Sequence, residues 1–262
     1  MFETKINNMS NLKDKINVLQ SYIDGCNNDD IVFFGGAGVS TESGVPDFRS
    51  KNGLYAEKYK YPPEQIISHS FFYKNTKEFY KYYTSRMLPL DKKIKPNSAH
   101  IFLKNLEDAG KLRCVITQNI DGLHQSAGSK KVLELHGSVH RNYCTSCNHF
   151  YTVDELCNLL EKNNWIPKCR VDGCTGIIKP DVVLYEEMLD NNTIDKSIMA
   201  ISSAKLLIIA GTSLTVYPAC GLINYFRGDK ICLINKTQTQ KDDIADLVIE
   251  EQVGKVFSKL HT

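Results

Sequence analysis

Short apolar runs alternate with segments of helical periodicity along most of the chain. Predominantly apolar runs of four or five residues are typical of strands that are buried on both faces of a parallel sheet. They occupy residues 31–34, 114–117, 132–135, 206–210 and 231–234. Because helical segments separate them, the pattern predicts an α/β fold built on a doubly wound parallel sheet.

Apolar residues at helical spacing predict the helices between these strands. Near the N-terminus, Ile16, Leu19 and Ile23 share one helical face, and Gly25 follows as a stop signal. Further helices are predicted at residues 96–110, 195–204 and 254–260.

Residues 54–91 are crowded with Tyr, Phe and Lys, and Pro62 and Pro63 divide them. Aromatic residues interleaved with lysines can form a stacking surface for nucleic acids. No nucleic-acid-binding module pattern accompanies them, which favours a helical insertion of two or three helices whose aromatic residues form its core and rim.

Four of the nine cysteines lie close together in sequence as C-x2-C, 21 intervening residues and C-x4-C. They are Cys144, Cys147, Cys169 and Cys174. Free thiols are the alternative, but paired cysteines at this spacing are typical of a structural zinc site with all four positions of the ion filled by sulfur. His140 and His149 are expected at the surface and not among the ligands.

Bulk properties exclude several classes of protein. Lys and Arg number 32 against 30 Asp and Glu, a net charge of +2, which is too small to indicate a nucleic-acid or membrane partner. No apolar run approaches the ~20 residues of a membrane span, and the polar N-terminus lacks a signal-peptide core. We therefore expect a cytoplasmic protein that binds neither membranes nor nucleic acids directly.

Small and polar residues follow the predicted strands, where parallel sheets place their ligand crevice. After the first strand, Gly36, Gly38 and Thr41 partly match the dinucleotide-binding pattern G-x-G-x-x-G but lack its third glycine. No acidic residue in a clear strand follows about 20 positions later. This stretch alone leaves a phosphate-binding loop and an ordinary strand-to-helix turn both open.

Several motifs in succession resemble the sirtuins, which are NAD-dependent protein lysine deacylases. The matching residues, in family order, are Gly36-Ala37-Gly38-Val39-Ser40, Gly44-Val45-Pro46-Asp47-Phe48-Arg49, Thr117-Gln118-Asn119-Ile120-Asp121, His136-Gly137, the four cysteines, Gly211-Thr212-Ser213 and Asn235. The resemblance spans nearly the whole chain and accounts for the missing glycine, because this family carries its own variant of the phosphate loop.

The resemblance implies a Rossmann-like NAD-binding domain formed by residues 1–53, 92–143 and 176–262. A smaller inserted domain would consist of the helical insertion, residues 54–91, and a zinc-binding module, residues 144–175. It also implies that NAD is consumed as a co-substrate, that one zinc ion is structural, and that the partner is an acyl-lysine protein or peptide.

The family pattern implies His136 as the catalytic general base. The implied cofactor-binding residues are Ala37, Gly38, Thr41, Phe48, Arg49, Gln118, Asn119, Ile120, Asp121, His136, Gly211, Thr212, Ser213, Asn235 and Val253. Residues 182–185 and 214–217 would flank the acyl-lysine peptide as edge strands.

Two departures from the family bear on the acyl group. Tyr185-Glu186-Glu187 stands where the family often has Phe-Gly-Glu, which affects the expected shape of the peptide groove. The Tyr-x-x-Arg pair of succinyl- and malonyl-preferring sirtuins aligns with Tyr80 and Tyr83, without the arginine, although Tyr83 and Arg86 share the spacing one turn later. We predict an uncharged acyl group, acetyl or longer.

Three other functions remain open at this level. A protein mono-ADP-ribosyltransferase would use the same activated ribose, and a hydride-transferring dehydrogenase would use the same kind of sheet. A non-enzymatic zinc- and nucleotide-binding module would use neither reaction.

Overall fold

The computed structural model describes residues 11–48, 50, 53–56, 59–88 and 94–262. The strands are β1 Ile31–Gly35, β2 Leu112–Thr117, β3 Val132–Glu134, β4 Gly137–Cys144, β5 Phe150–Tyr151, β6 Ile178–Val182, β7 Leu206–Ala210, β8 Lys230–Asn235 and β9 Leu247–Glu250. The helices are α1 Leu12–Asp24, α2 Pro63–Ile66, α3 His69–Lys74, α4 Thr76–Arg86, α5 Ser98–Asp108, α6 Leu123–Ser126, α7 Val153–Lys162, α8 Asn191–Ser203 and α9 Val253–Phe257.

Six strands form one sheet in the order β3-β2-β1-β7-β8-β9, and every neighbouring pair is parallel. Side chains of β1 alternate between the two faces: Phe33 packs with α1, α5 and α9, and Phe34 packs with α8. Because both faces of the central strands β1 and β7 are buried, these strands carry the unbroken apolar runs seen in the sequence. The predicted doubly wound fold is confirmed, and each of the five predicted strands is present.

The direction in which strands are added reverses beside β1. The chain adds β2 and β3 on one side of β1 and later adds β7, β8 and β9 on the other. A crevice opens at such a switch point, at the carboxyl ends of the strands, because the connections leave in opposite directions.

A second unit contains the three-stranded sheet β5-β4-β6, whose pairs are antiparallel. Helices α2, α3, α4 and α7 pack with this sheet around one apolar core that includes Phe72, Phe79, Tyr80 and Leu156. The aromatic residues of the insertion are therefore core and rim, as predicted. Strands β4 and β6 pair in this small sheet, although the predicted domain boundaries assign them to the large unit.

Within the described residues, no helix combines the length and apolarity that crossing a membrane requires.

Candidate active site

A cavity of about 790 Å³ lies at the carboxyl ends of the parallel strands. Most of the predicted cofactor-binding residues line it. They are Ala37, Gly38, Phe48, Gln118, Asn119, Ile120, Asp121, His136, Gly211, Thr212, Ser213 and Asn235. These residues lie after β1, β2, β3 and β7 or at the end of β8, so the sheet topology gathers them into one wall.

Two of the predicted residues that the structure describes are not part of this wall. Thr41 is exposed, and its hydroxyl donates to the carbonyl oxygen of Gly38 at 3.0 Å. Val253 is buried in the core at the start of α9. Arg49 lies outside the described residues. Neither Thr41 nor Val253 therefore lines the cavity.

Two glycines let the loops after β1 and β7 touch through their backbones. The amide of Gly38 donates to the carbonyl oxygen of Gly211 at 2.8 Å. A Cβ atom on Gly38 would lie 2.7 Å from the Cα atom of Gly211, which itself has a φ of 60°. There is no room for side chains at this contact, so the wall here consists of backbone atoms that a ligand can approach closely. A wall of this kind fits a pyrophosphate, which approaches backbone amides closely.

His136 lies in the turn between β3 and β4 and lines the cavity. Its Nδ1 atom is 2.8 Å from the carbonyl oxygen of Gln118. Since a carbonyl oxygen can only accept, Nδ1 carries the proton, and Nε2 of the neutral ring is an acceptor. Burial lowers the pKa of His136, and the bond to Gln118 offsets only part of this effect. The ring is therefore neutral near pH 7 and can take up a proton.

A buried hydrogen-bond network positions Asn119 and Asp121 in the wall of the cavity. The hydroxyl of Ser40 donates to the Asp121 carboxylate at 2.7 Å and accepts from the side-chain amide of Asn119 at 3.1 Å. His100 on α5 lies beside Ser40, with Nε2 3.5 Å from its oxygen. Burial lowers the pKa of His100 to about 4, so this ring is neutral, and Nδ1 accepts from the Asn97 amide at 3.2 Å.

Sequence reasoning missed two members of this network as site residues. Ser40 was part of a matching motif, so the signal was available. His100 is a single histidine on the inward face of a helix, a pattern more typical of a core residue, and no local signal separates it from one.

The segments expected to flank a peptide differ from each other. Residues 182–185 are extended beside the cavity: the Val183 amide donates to the carbonyl oxygen of His136 at 3.0 Å, and Tyr185 forms an isolated bridge with Ser68. Residues 214–217 are not a strand, which corrects the prediction. Leu214 has a φ of 54°, and its amide is bound by the hydroxyl of Thr212 at 3.2 Å, so the chain turns instead of extending.

The tyrosines that could pair with an arginine in the acyl site lie away from the cavity. Tyr83 is fully buried, and its ring stacks on Phe79 with 5.7 Å between centroids. Tyr80 is also buried, and its hydroxyl donates to the carbonyl oxygen of Ile178. Arg86 lines the cavity, so the Tyr-x-x-Arg pair is not assembled in the wall.

The four clustered cysteines converge as predicted, with their sulfur atoms all within 4.8 Å of one another. Cys144 and Cys174 Sγ are 3.5 Å apart, and Cys147 and Cys169 Sγ are 3.7 Å apart. A tetrahedral zinc ion with Zn–S bonds of about 2.3 Å sets its sulfurs about 3.8 Å apart. The sulfur positions therefore fit zinc and are too far apart for disulfides.

Comparison with known proteins agrees with this arrangement. A model described as the Sir2 family matches residues 36–218. The chain is 58% identical over 252 residues to the NAD-dependent protein deacetylase of Clostridium perfringens, covering 95% of this chain and 99% of that protein. It is 54% identical over 248 residues to the protein of the same name from Clostridium acetobutylicum, covering 94% and 98%.

Solved structures extend the similarity to three dimensions. A structure described as Sir2–p53 peptide–NAD+ has a TM-score of 0.81 and 36% identity, covering 93% of this chain and 96% of that one. Another, described as Sir2Tm bound to a propionylated peptide, has a TM-score of 0.82 and 37% identity, covering 94% and 96%. The resemblance inferred from the motifs is confirmed, and the chain belongs to the Sir2 family.

Proposed function

We propose that the protein is an NAD-dependent protein lysine deacetylase, which transfers an acyl group from a lysine side chain to the ADP-ribose part of NAD and releases nicotinamide. The observation that carries the proposal is His136, a neutral base fixed in the wall of the cavity by the Gln118 carbonyl. The relatives named NAD-dependent protein deacetylase support the same activity.

We assign NAD to the wall formed by the strand ends. Ala37 and Gly38 would bind the pyrophosphate and ribose, with Thr41 supporting that loop. Thr212, Ser213 and Asn235, backed by Val253, would hold the adenosine, and Gly211 would keep the wall low beside the phosphates. Phe48 and Arg49 would cover the nicotinamide, whose carboxamide would lie against Asn119, Ile120 and Asp121.

The reaction uses NAD as a source of an electrophilic ribose carbon, which the acyl oxygen captures when nicotinamide leaves. His136 would then take the proton of a ribose hydroxyl at Nε2, which allows that oxygen to attack the acyl carbon. The hydrogen bond from Nδ1 to Gln118 would hold the ring in the required tautomer and orientation. Water finally releases the lysine and O-acyl-ADP-ribose, so exclusion of water before this step favours capture over hydrolysis.

An acyl-lysine peptide would lie along residues 182–185. The amides of Val183, Leu184 and Tyr185 are all bonded within the chain, to His136, Glu187 and Ile67 respectively. The carbonyl oxygens of Val182, Leu184 and Tyr185 also accept bonds within the chain, from Lys179, Glu187 and His69 respectively. Because a carbonyl oxygen can accept a second bond, peptide amides would donate to the Val183 carbonyl or to the second lone pairs of its neighbours, which gives affinity with little demand on the peptide sequence.

The four cysteine sulfurs would hold one zinc ion that joins the β4–β5 turn to the loop 169–174. With sulfur at all four positions, the ion would stabilise the module and take no part in the reaction. The cytoplasmic location and the absence of membrane and nucleic-acid partners stay predictions from the sequence.

Mass spectrometry of the products formed from NAD and an acetyl-lysine peptide tests the proposed function. We expect deacetylated peptide, nicotinamide and O-acetyl-ADP-ribose in equal amounts. If the protein binds NAD but forms no O-acetyl-ADP-ribose from the two substrates, deacetylation is refuted. Label from NAD that stays on protein would indicate ADP-ribosylation, and absorbance of reduced nicotinamide would indicate a dehydrogenase.

A further inference from the structure

Two tyrosine hydroxyls meet at the wall of the cavity. The Oη atoms of Tyr55 and Tyr185 are 2.8 Å apart, and both residues line the cavity. Tyr55 lies in a helical turn, Leu54–Ala56, that follows the tip around Phe48. Tyr185 lies in the extended segment after β6. The hydrogen bond therefore joins the side assigned to nicotinamide to the side assigned to the peptide.

Tyr185 is a fixed anchor for this contact. Its amide donates to the carbonyl oxygen of Ile67 at 3.0 Å, and its own carbonyl accepts from the amide of His69 at 2.9 Å. The next residue, Glu186, has a φ of 74°, and its carboxylate accepts from the amide and the hydroxyl of Ser70 at 2.8 and 3.0 Å. Bonds to the start of α3 thus hold the backbone on both sides of the Tyr185 ring.

Glu187 adds a second set of bonds to the same segment. Its carboxylate accepts from the Leu184 amide at 2.9 Å and from Lys179 Nζ at 3.0 Å. It also lies 2.9 Å from Nδ1 of His69. Because several bonds constrain residues 184–187, the backbone that carries the Tyr185 ring has a defined position even when no peptide is bound.

Tyr55 is coupled to the tip at Phe48. The Tyr55 amide donates to the carbonyl oxygen of Phe48, and the Leu54 amide donates to that of Asp47, both at 2.9 Å. The rings of Phe48 and Tyr55 pack edge to face, with 5.6 Å between centroids. A bond that fixes the Tyr55 hydroxyl therefore also fixes the Phe48 ring.

We propose that Tyr185 is a positioning residue for the nicotinamide end of NAD and acts through Tyr55 and Phe48. The inference rests on the proposed function, because that function places nicotinamide under Phe48. The hydrogen bond between the two hydroxyls holds Asp47 and Phe48 in place before NAD binds. Less conformational entropy of this segment is therefore lost on binding. Loss of one neutral hydrogen bond should weaken NAD binding about two- to tenfold.

Calorimetric titrations of Tyr185→Phe, Tyr55→Phe and the double variant test this inference. The two probes are carba-NAD, whose nicotinamide bond is not cleaved, and ADP-ribose, which lacks nicotinamide. We expect either single change to raise the Kd for carba-NAD about two- to tenfold and to leave the Kd for ADP-ribose unchanged. The double variant should lose no more than one single variant, because both changes remove the same bond.

Tyr73→Phe is the matched control. It also removes one tyrosine hydroxyl, but Tyr73 lies on α3 and does not line this cavity. It should bind both probes as the wild type does. Unchanged carba-NAD affinity in Tyr185→Phe, an equal loss for both probes, or additive losses in the double variant would each overturn the inference. Failure of the wild type to bind carba-NAD would overturn the proposed function itself.

Discussion

At the level of single residues, the environment of His136 sets the expected pH dependence. Burial lowers the pKa of His136 below its usual value of about 6.5, although the bond to Gln118 offsets part of the shift. In the proposed mechanism the neutral ring is the active base, so activity should be full above this pKa and fall as the pH drops through it. The acid limb of a kcat/KM profile should therefore lie below about pH 6.5. A limb centred above that pH would contradict this assignment.

Removal of the His136 side chain should abolish the proton transfer while leaving the fold intact. We expect His136→Ala to lower the rate of deacetylation by about two orders of magnitude or more, with unchanged zinc content and melting temperature. His261→Ala is a suitable control because His261 lies exposed at the C-terminal end, and its backbone alone makes the observed contacts with Gln20. If His136→Ala retained deacetylation, His136 would not be the general base, and its role would be structural only.

The placement of Arg86 governs the expected choice of acyl group. A succinyl group needs a cation and a neighbouring hydroxyl, but Tyr83 is buried away from the cavity that Arg86 lines. We therefore predict faster turnover of acetyl- and propionyl-lysine than of succinyl-lysine in peptides that differ only in the acyl group. Turnover of the succinyl peptide above that of the acetyl peptide would contradict an uncharged substrate.

At the level of elements, the zinc module can be tested apart from the chemistry. Cys174→Ser should lose bound zinc, lower the melting temperature and reduce activity indirectly, because the ion joins two loops of the small unit. Cys157→Ser is the control, since Cys157 is a half-buried thiol on α7 outside the cluster. Metal analysis by mass spectrometry should find about one zinc per chain in the control. One zinc per chain in Cys174→Ser as well would refute the four-sulfur site.

The sequence predicted most of the elements that have a local signal. It missed most of those that depend on pairing with other parts of the chain. Strands β1 and β7 are continuous apolar runs, and β2, β3 and β8 are mostly apolar, so composition alone predicts strands of a largely buried sheet. Strand β9 is four residues long and β5 only two, and β4 depends on pairing with the distant strand β6. Helix α7 did have a local signal, the capping box of Thr152 and Glu155, within sequence interpreted only as a metal module.

The same distinction applies to the candidate site. Glycine-rich and polar motifs at strand ends predicted most of the cavity wall, because topology brings the carboxyl ends of parallel strands together. Thr41 directly follows the wall residue Ser40 but is exposed, and Val253 starts α9 in the core, far in sequence from the wall residues. His100 reaches Ser40 only through the packing of α5 on the sheet, a tertiary relationship that no spacing rule contains.

At the level of the whole molecule, the large and small sheets join directly at His136, the proposed general base. Strand β3 ends at Glu134, β4 begins at Gly137, and His136 lies between them. Gly137 has a φ of 75°, and a Cβ atom there would lie 1.9 Å from the carbonyl oxygen of Asp181 on β6. The close contact of Gly137 with β6 therefore fixes both the position of His136 and the attachment of the small sheet.

Gly137→Ala should consequently damage stability and activity together. The added methyl group would have to displace the β6 backbone, so we expect a loss of about 3 kcal/mol or more in the free energy of unfolding. Gly173→Ala is the matched control: its φ is 73°, but nothing lies within 4 Å of the added atom, so only the backbone cost of about 1 kcal/mol remains. Urea denaturation of the zinc-loaded proteins measures both. Equal losses in the two variants would show that the contact with Asp181 does not determine how the sheets join.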